Sequence, residues 1–241
     1  YCHFNSLYFN IYNLFHYSVF LKKGQVVYNR YMVFTIIISL ISILIAMIVH
    51  EFSHGFIAYL LGDETAKKDG RLTLNPLAHM DPYISVVLPI LCVFSNLPVI
   101  GGAKPVPVDF EELKWKKWGM ALVAFAGPLS NFILAFLAYA IMHAFNVSYG
   151  DLATGFSVFV KINLSLAIFN LIPIPPLDGS RILYPIAPEF VQDFFDKLES
   201  YGPIFILMIM FLFSTVISSY ISLCMSFTLE GFAVLLRFFG L

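Results

Sequence analysis

Residues Met32 to Leu61 read MVFTIIISLISILIAMIVHEFSHGFIAYLL. A helix of this length exceeds the hydrocarbon thickness of a bilayer, which is about 30 Å. The only acidic or basic side chains in it are those of His50, Glu51 and His54. A charge inside hydrocarbon costs at least ~2.5–3.5 kcal/mol, so residues of this kind within a membrane span usually have a function. The stretch predicts a membrane-spanning helix that carries chemistry.

The composition of the whole chain agrees with this prediction. Of its 241 residues, 59% are hydrophobic and only 12% are charged, whereas soluble domains contain about 25% charged residues. The net charge of −1 and the absence of a basic stripe argue against nucleic acid as a partner. The three cysteines, Cys2, Cys92 and Cys224, are far apart and are interpreted as apolar filler, neither a disulfide framework nor a zinc knuckle.

Three further apolar stretches are long enough to cross a bilayer, at residues 118–146, 152–174 and 203–225. Residues 83–99 are apolar but contain prolines and an asparagine, so they form either a short span or a re-entrant segment. Lysines near residue 116 favour the re-entrant alternative, because they place this loop on the cytosolic side with Lys67 and Lys68. The predicted fold is an all-α polytopic membrane protein with about five transmembrane helices.

Two segments between the first span and the next full span have the pattern of extended chain. Arg71–Asn75 alternates as a short strand does, and residues 103–108 contain Pro105 and Pro107, which exclude a helix. A small β-strand or re-entrant element is therefore predicted there. Residues 32–226 form the predicted core, followed by a C-terminal amphipathic or partial helix at 227–241.

Residues 1–31 differ from the remainder of the chain. They lack an initiating Met and are rich in Asn, Tyr and His, which makes a poor span. They also place Lys22, Lys23 and Arg30 before the first good span, while Lys67 and Lys68 follow it. The positive-inside rule cannot be satisfied at both ends of one span. One hypothesis is that Met32 is the natural start and that residues 1–31 are a non-native extension. The alternative is an amphipathic interfacial segment.

The motif His50-Glu51-Phe52-Ser53-His54 places two histidines one helical turn apart, with a carboxylate beside them. Residues i and i+4 share a helix face, so both imidazoles can bind one metal ion. A catalytic zinc site needs a third protein ligand and an open position for water. The alternative interpretation is a pair of core histidines with a glutamate bonded to neighbouring helices, although burying three such groups without a function is expensive.

The expected depth in the membrane identifies a candidate third ligand. His50 lies ~26 Å along a helix that enters from outside, and Asp178 ends a span that also descends towards the cytosol. Both residues fall in the cytosolic third of the bilayer. Asp151 is predicted outside, and the other nearby carboxylates lie in a charged loop at Asp63 and Glu64. The alternative for Asp178 is an ordinary Asp-Gly turn.

Together these motifs resemble the site-2 protease family of intramembrane zinc metalloproteases. The stretches that carry the likeness are HEFSHG at 50–55 and NLIPIPPLDG at 170–179, supported by GRLTLNP at 70–76, AKPVPV at 103–108 and GPLSN at 127–131. The likeness covers roughly residues 40–185 and is nearest to the short bacterial and archaeal-type members without PDZ or CBS domains. Tyr83-Ile84 and Ser180 depart from the family pattern, and neither touches the metal set.

The resemblance implies one zinc ion per chain, bound by His50, His54 and Asp178, with Glu51 as the general base. Asn170 matches a family asparagine that orients water or holds the oxyanion; an interhelical hydrogen bond is the alternative. Asn131 carries the same ambiguity. Arg181 is interpreted as a residue at headgroup level rather than a catalytic one.

The implied substrates are transmembrane segments of single-span proteins, in such families often already trimmed by another protease. A helical substrate must unwind before attack, and the extended segments 71–75 and 103–108 are candidates to receive it by strand addition. The implied location is a multi-pass position in a bacterial or archaeal plasma membrane. The alternatives are a catalytically idle zinc-binding scaffold and a metal sensor or transporter. A transporter needs further His or carboxylate groups along a pore, and the spans after residue 118 offer essentially only His143. Substrate identity, cleavage sequence, organism and oligomeric state stay open.

Overall fold

The structure is a computed structural model that describes residues 21–22, 25–26, 30–79 and 104–240. The predictions for residues 83–99 and for most of residues 1–31 lie outside this part of the chain. The described elements are, in order, β1 (Leu21–Lys22), β2 (Gln25–Val26), α1 (Arg30–Leu60), α2 (Thr65–Lys68), α3 (Pro76–His79), α4 (Lys117–Ala144), α5 (Gly150–Asn170), α6 (Asp178–Leu183), a 3-10 turn (Tyr184–Ile186), α7 (Glu189–Glu199), α8 (Pro203–Leu212) and α9 (Ser214–Phe238).

Four helices in the described ranges are long and apolar enough to cross a membrane. They are the Val33–Leu60 part of α1, all of α4, all of α5 and all of α9. The predicted helical membrane fold is thereby confirmed in its class. The predicted count of about five spans stays a prediction, because residues 83–99 lie outside the described part.

Helices α1, α4 and α5 pack together and form the centre of the molecule. The core between α4 and α5 contains Ala135, Ala138, Val160 and Leu164, and Phe232 of α9 packs against it. Alanines on the facing sides let the helix backbones approach closely, which is how helices commonly associate in membranes. Only 11% of an apolar 18-residue stretch of α9 is buried inside the molecule, against 44% of the corresponding stretch of α4. Helix α9 therefore lies at the edge of the bundle.

The C-terminal helices have different bounds from those predicted. The predicted span at 203–225 is divided at Phe213, where the backbone leaves helical geometry with φ −112° and ψ 21°. The boundary predicted near residue 226 lies inside α9, which continues to Phe238. No proline or glycine marks Phe213, so a pattern of uniform hydrophobicity conceals this break.

The strand predicted at Arg71–Asn75 is wrong, because these residues pair with no strand in the described part of the chain and the backbone bends at Leu72 and Thr73. Short side chains bond the local backbone there and compete with a strand ladder. The Asn75 amide donates to Oγ1 of Thr73, and the Leu77 amide donates to Oδ1 of Asn75. The only β pairing in the described residues is between β1 and β2, antiparallel and two residues long.

Residues 104–108, which we call the strap, are extended but pair with no strand in the described part of the chain. The strap is followed by turns that lead to α4, and the Lys114 amide donates to the carbonyl of Leu61 over 2.9 Å. Val108 and Phe110 pack against a small core that contains Ala58 of α1 and Val123 of α4. The strap thus contains no helix, turn or bend, and the predicted strand pairing is not seen in the described residues.

A polar network holds α7 against α6 and the start of α4. Its side-chain pairs are Arg181 with Glu199, Tyr184 with Asp196, and Lys117 with Gln192. Burial and the hydrogen bond to Asp196 raise the pKa of Tyr184 to about 12, so its hydroxyl remains a donor at neutral pH. The network keeps the helix that begins at Asp178 beside the bundle.

Candidate metal centre

The two histidines of the motif lie on the inner face of α1, one turn apart. His50 is buried, with 8% of its surface exposed, and its ring meets that of His54 edge to face at 4.6 Å between centroids. Both Nε2 atoms point away from α1 towards the start of α6. The helix repeat alone produces this convergence, since residues i and i+4 share a face.

Asp178 reaches the histidines from the first residue of α6. Its Oδ2 lies 3.1 Å from Nε2 of His50 and 3.4 Å from Nε2 of His54. Gly179 makes this position accessible, because a Cβ there would overlap the carbonyl oxygens of Leu171 and Ile172. The first turn of α6 can therefore fold back directly onto the end of α5.

The separations between the Asp178 oxygen and the two imidazole nitrogens are those that zinc requires, and all three ligand atoms lie within 4.8 Å of one another. Two atoms that each lie about 2.0–2.1 Å from a tetrahedral zinc are separated by about 3.3–3.4 Å. The Oδ2 to Nε2 distances of 3.1 and 3.4 Å are close to this value. Two imidazoles with one carboxylate are also a donor set of catalytic zinc, with a fourth position left for water. The residues present therefore fit a zinc ion.

The ionisation of Asp178 suits a metal ligand. An aspartate side chain is ordinarily a carboxylate at neutral pH, which is the form that binds a divalent cation.

The second ring nitrogen of His54 is held by α4. Nδ1 of His54 lies 2.7 Å from the carbonyl oxygen of Val123, so the ring donates from Nδ1 and keeps the lone pair of Nε2 free. The contact selects the tautomer that a metal ligand needs.

The second ring nitrogen of His50 faces Asn131, which is fully buried. The amide nitrogen of Asn131 lies 3.2 Å from Nδ1 of His50, while its Oδ1 has no partner in the described part of the chain. A 180° turn of this amide places Oδ1 opposite Nδ1. His50 then donates from Nδ1 and keeps Nε2 for the metal, as His54 does.

Gly127 of α4 lies directly beneath both rings. A Cβ at this position would be 2.5 Å from Nε2 of His54 and 2.7 Å from Cε1 of His50. These distances are far shorter than any van der Waals contact, and the backbone of α4 lies behind the glycine. Position 127 therefore accepts no side chain while the rings keep their places.

Replacing Gly127 with alanine is expected to weaken zinc binding at least tenfold, the lower end of the 10–100-fold cost of disturbing groups that orient metal ligands. The added methyl group displaces both rings. Zinc affinity, measured by competition with a chromogenic chelator, checks this. Gly155→Ala is the matched control, because Gly155 lies in α5 with open space around it; this change is expected to stabilise the helix by about 0.5–1 kcal/mol and leave zinc affinity unaltered. Equal zinc affinity in both variants would contradict the expectation.

Glu51 lies next to the metal ligands, on a neighbouring face of α1. Its Oε2 accepts the backbone N–H of Val106 in the strap over 2.9 Å. One carboxylate oxygen is thus held by the strap, and no hydrogen bond to the other is seen in the described residues. This arrangement fixes the direction of the carboxylate relative to the three ligands.

Comparison with known proteins identifies the family. A sequence model of peptidase family M50 matches residues 145–214, a region that contains Asp178. The protein described as "Putative zinc metalloprotease YwhC" of Bacillus subtilis is 40% identical to this chain over 189 residues, which are 75% of this chain and 82% of YwhC. The chain belongs to peptidase family M50.

Two further M50 relatives are less similar. "Putative zinc metalloprotease Rip2" of Mycolicibacterium smegmatis is 32% identical over 149 residues, which are 61% of this chain and 56% of Rip2. "Putative zinc metalloprotease MJ0611" of Methanocaldococcus jannaschii is 32% identical over 157 residues, which are 65% of this chain and 74% of MJ0611. No solved structure matches the chain. Membership of M50 confirms the likeness to the site-2 protease family and, with the apolar helices, supports a membrane zinc metalloprotease.

In this M50 protein the structure brings together His50, His54 and Asp178, as the sequence predicted. Glu51 follows His50 on α1 and is bonded to the strap. Asn170 is at the last residue of α5, where its amide nitrogen donates to the Leu166 carbonyl of its own helix. Within the described residues no hydrogen bond joins Asn170 to the metal centre. Its role in orienting water or holding an oxyanion stays a prediction.

Arg181 points away from the metal centre of this M50 chain. It pairs with Glu199 and lies over the ring of Phe110, 5.0 Å from its centroid. This position agrees with the interpretation of Arg181 as a non-catalytic residue.

Sequence reasoning missed the parts of the M50 site that are contributed by backbone and by absent side chains. Val123 acts through its carbonyl, Val106 through its N–H and Gly127 through having no side chain. The available signal in the sequence is weak. Val123, Gly127 and Asn131 follow one another at intervals of four residues, which places them on one helix face.

Proposed function

We propose that this protein is an intramembrane zinc endopeptidase that hydrolyses peptide bonds in transmembrane segments of single-span membrane proteins. The observation that carries this proposal is the convergence of His50, His54 and Asp178 within a helix bundle of membrane-spanning length, with Glu51 beside them. Membership of peptidase family M50 supports the same reaction. An idle scaffold would need the three ligands but no base, so an oriented Glu51 favours the enzyme.

His50, His54 and Asp178 would hold one zinc ion per chain. When bound, zinc supplies a Lewis acid that activates water and polarises the peptide carbonyl. Glu51 removes a proton from the attacking water with its free oxygen and passes this proton to the leaving amine. The N–H of Val106 holds the other oxygen of Glu51 throughout, so the base does not rotate out of position. Asn170 is the proposed donor to the oxyanion.

A transmembrane substrate must lose helical structure before attack, because its carbonyls are bonded within the helix. The strap is an extended segment next to Glu51 whose prolines, Pro105 and Pro107, cannot donate to a ladder. We therefore place the unwound substrate beside the strap, where it adds as a strand through the backbone groups that do not already bond Arg71 or Glu51. The bends at Arg71–Asn75 remove that segment as a second strand.

The proposed setting is a multi-pass position in the plasma membrane of a bacterium or archaeon, with the bilayer and the substrate as partners. Relatives in Bacillus subtilis and Methanocaldococcus jannaschii support this setting. Substrates already trimmed by another protease would fit best, since only a short flanking segment needs to pass the bundle.

Removal of zinc provides the direct test. The purified chain is reconstituted in lipid nanodiscs with a single-span reporter, and cleavage is followed by mass spectrometry. Treatment with 1,10-phenanthroline is expected to abolish cleavage, and equimolar Zn²⁺ is expected to restore it, whereas Mg²⁺ is not, since imidazole ligands favour zinc. The new termini should lie inside the apolar segment of the reporter. Cleavage that persists after the zinc content falls to zero would refute the proposal.

A further inference from the structure

A buried carboxylate holds the chain directly after the strap. Asp63 has no exposed surface, and its two oxygens accept the backbone N–H groups of Thr65 and Asp109, each over 2.8 Å. Both oxygens of this carboxylate are thus used to join the end of α1 to the residue that follows the strap. Asp63 fixes the downstream end of the strap.

Arg71 fastens the upstream end. Only 9% of its surface is exposed, and its Nη2 donates to the carbonyl oxygens of Lys104 over 2.7 Å and Pro105 over 3.3 Å. Its Nε is buried without a partner in the described part of the chain. Burying a guanidinium costs free energy that neutral carbonyls return only in part. An arginine that served only solubility would be exposed to solvent, as the side chain of Lys68 in the same loop is.

The backbone donor that follows this anchor is the one that holds Glu51. Val106 comes directly after Pro105, and its N–H donates to Oε2 of Glu51. Pro105 and Pro107 have no N–H, so Val106 supplies the sole backbone donor of residues 105–107. The side chain of Val106 packs over Gly55, where a Cβ would lie 3.0 Å from Cγ1. The position of this N–H is therefore set by the two anchors and by contact with α1.

We propose that Arg71 is a positioning residue for Glu51, which it orients through the strap without touching the metal or the substrate. This inference rests on the proposed function for its catalytic consequence, but its structural content does not. Loss of the Arg71 anchor lets the strap move, and Glu51 then loses the partner that fixes its direction. The expected effect is on the chemical step, since the zinc ligands lie on α1 and α6 and have their own supports in α4.

The first test separates kcat from KM. Arg71→Met, similar in length but without donors, is expected to lower kcat by about ten- to a hundredfold, because misplacement of a reacting group by about 1 Å costs up to 10²-fold. The fall in kcat should exceed any rise in KM, which a displaced strap also causes if it receives the substrate, and zinc should stay at one per chain. Arg71→Lys, which keeps a donor, should restore part of the loss. Lys68→Met is the control, with an exposed cation in the same loop, and should match the wild-type chain.

A double-mutant cycle distinguishes positioning from a general loss of structure. Val106→Pro removes the N–H that Glu51 accepts and keeps the extended backbone of the strap. If Arg71 acts through this bond, Arg71→Met should lower kcat less than twofold further in the Val106→Pro background. Independent effects that multiply would overturn the inference.

Amide hydrogen exchange tests the strap without any catalysis. Val106 is the sole exchangeable backbone amide of residues 105–107, so one signal reports the bond to Glu51. Arg71→Met is expected to speed its exchange at least tenfold, and Glu51→Ala should do the same while leaving the Asp109 amide protected by Asp63. If the wild-type chain cleaves no reporter but the exchange results hold, the proposed function fails and the strap anchor stands. Unchanged exchange at Val106 in the Arg71→Met chain would overturn the inference.

Discussion

A chain with glutamine in place of Glu51 is expected to retain one zinc ion and to cleave the reporter at least about a hundredfold more slowly, the lower end of the contribution of a general base. Glutamine has nearly the same shape, and its side-chain oxygen can still accept the N–H of Val106. It cannot remove a proton from water. Zinc content by atomic emission and initial rates in nanodiscs measure the two effects separately.

Glu189→Gln is the matched control for this variant. Glu189 is an exposed carboxylate at the start of α7, and its replacement should leave both the rate and the zinc content at the wild-type level. In cells, membranes that contain the Glu51→Gln protein should accumulate trimmed single-span stubs. Wild-type rates in the Glu51→Gln chain would exclude Glu51 as the base.

Removing the third ligand should act on the metal rather than on the base. Asp178→Ala is expected to weaken zinc binding more than the 10–100-fold cost of losing an outer partner, because a ligand itself is lost. Activity should fall to background with it. Excess Zn²⁺ should recover part of the bound metal but little activity, since two imidazoles alone hold the ion loosely and leave its geometry undefined.

The control for this change is Asp193→Ala, at an exposed carboxylate of α7. It should keep full zinc content and full rate. Titration with a zinc-selective fluorophore gives the two affinities under identical detergent conditions. An Asp178→Ala chain that binds zinc as tightly as the wild-type chain would remove Asp178 from the ligand set.

The candidate zinc ligands could be predicted from the sequence, because few residues have both the required chemistry and the required depth in the membrane. His50, Glu51 and His54 are the only acidic or basic side chains in the first span. The length of the spans then places Asp178 at the same level. The structure brings Asp178 to within hydrogen-bond distance of both histidines.

The groups that support the metal ligands could not be predicted from the sequence, because they are backbone atoms that nearly every residue type provides. Any residue at 123 offers a carbonyl, and any non-proline residue at 106 offers an N–H. Their use depends on how α4 and the strap lie against α1, which is tertiary information. The same applies to Arg71, whose partners are the carbonyls of Lys104 and Pro105.

Two local predictions failed for reasons that operate at short range. Alternation of apolar and polar residues at Arg71–Asn75 resembles a strand, but the hydroxyl of Thr73 and the amide of Asn75 bond the backbone locally. At Phe213 the chain bends inside a uniformly apolar stretch. Hydropathy measures how apolar such a stretch is and contains no record of where it turns.

The face of α4 that serves the metal centre has a consequence for how this gene can change. Val123, Gly127 and Asn131 follow one another at intervals of four, and each meets a histidine of α1. Each residue advances a helix by about 100°, so one inserted or deleted codon between positions 123 and 131 would turn part of this face away from its partner. Length variation among descendants of this chain should therefore be absent from these nine codons and tolerated in the connection after Ala144.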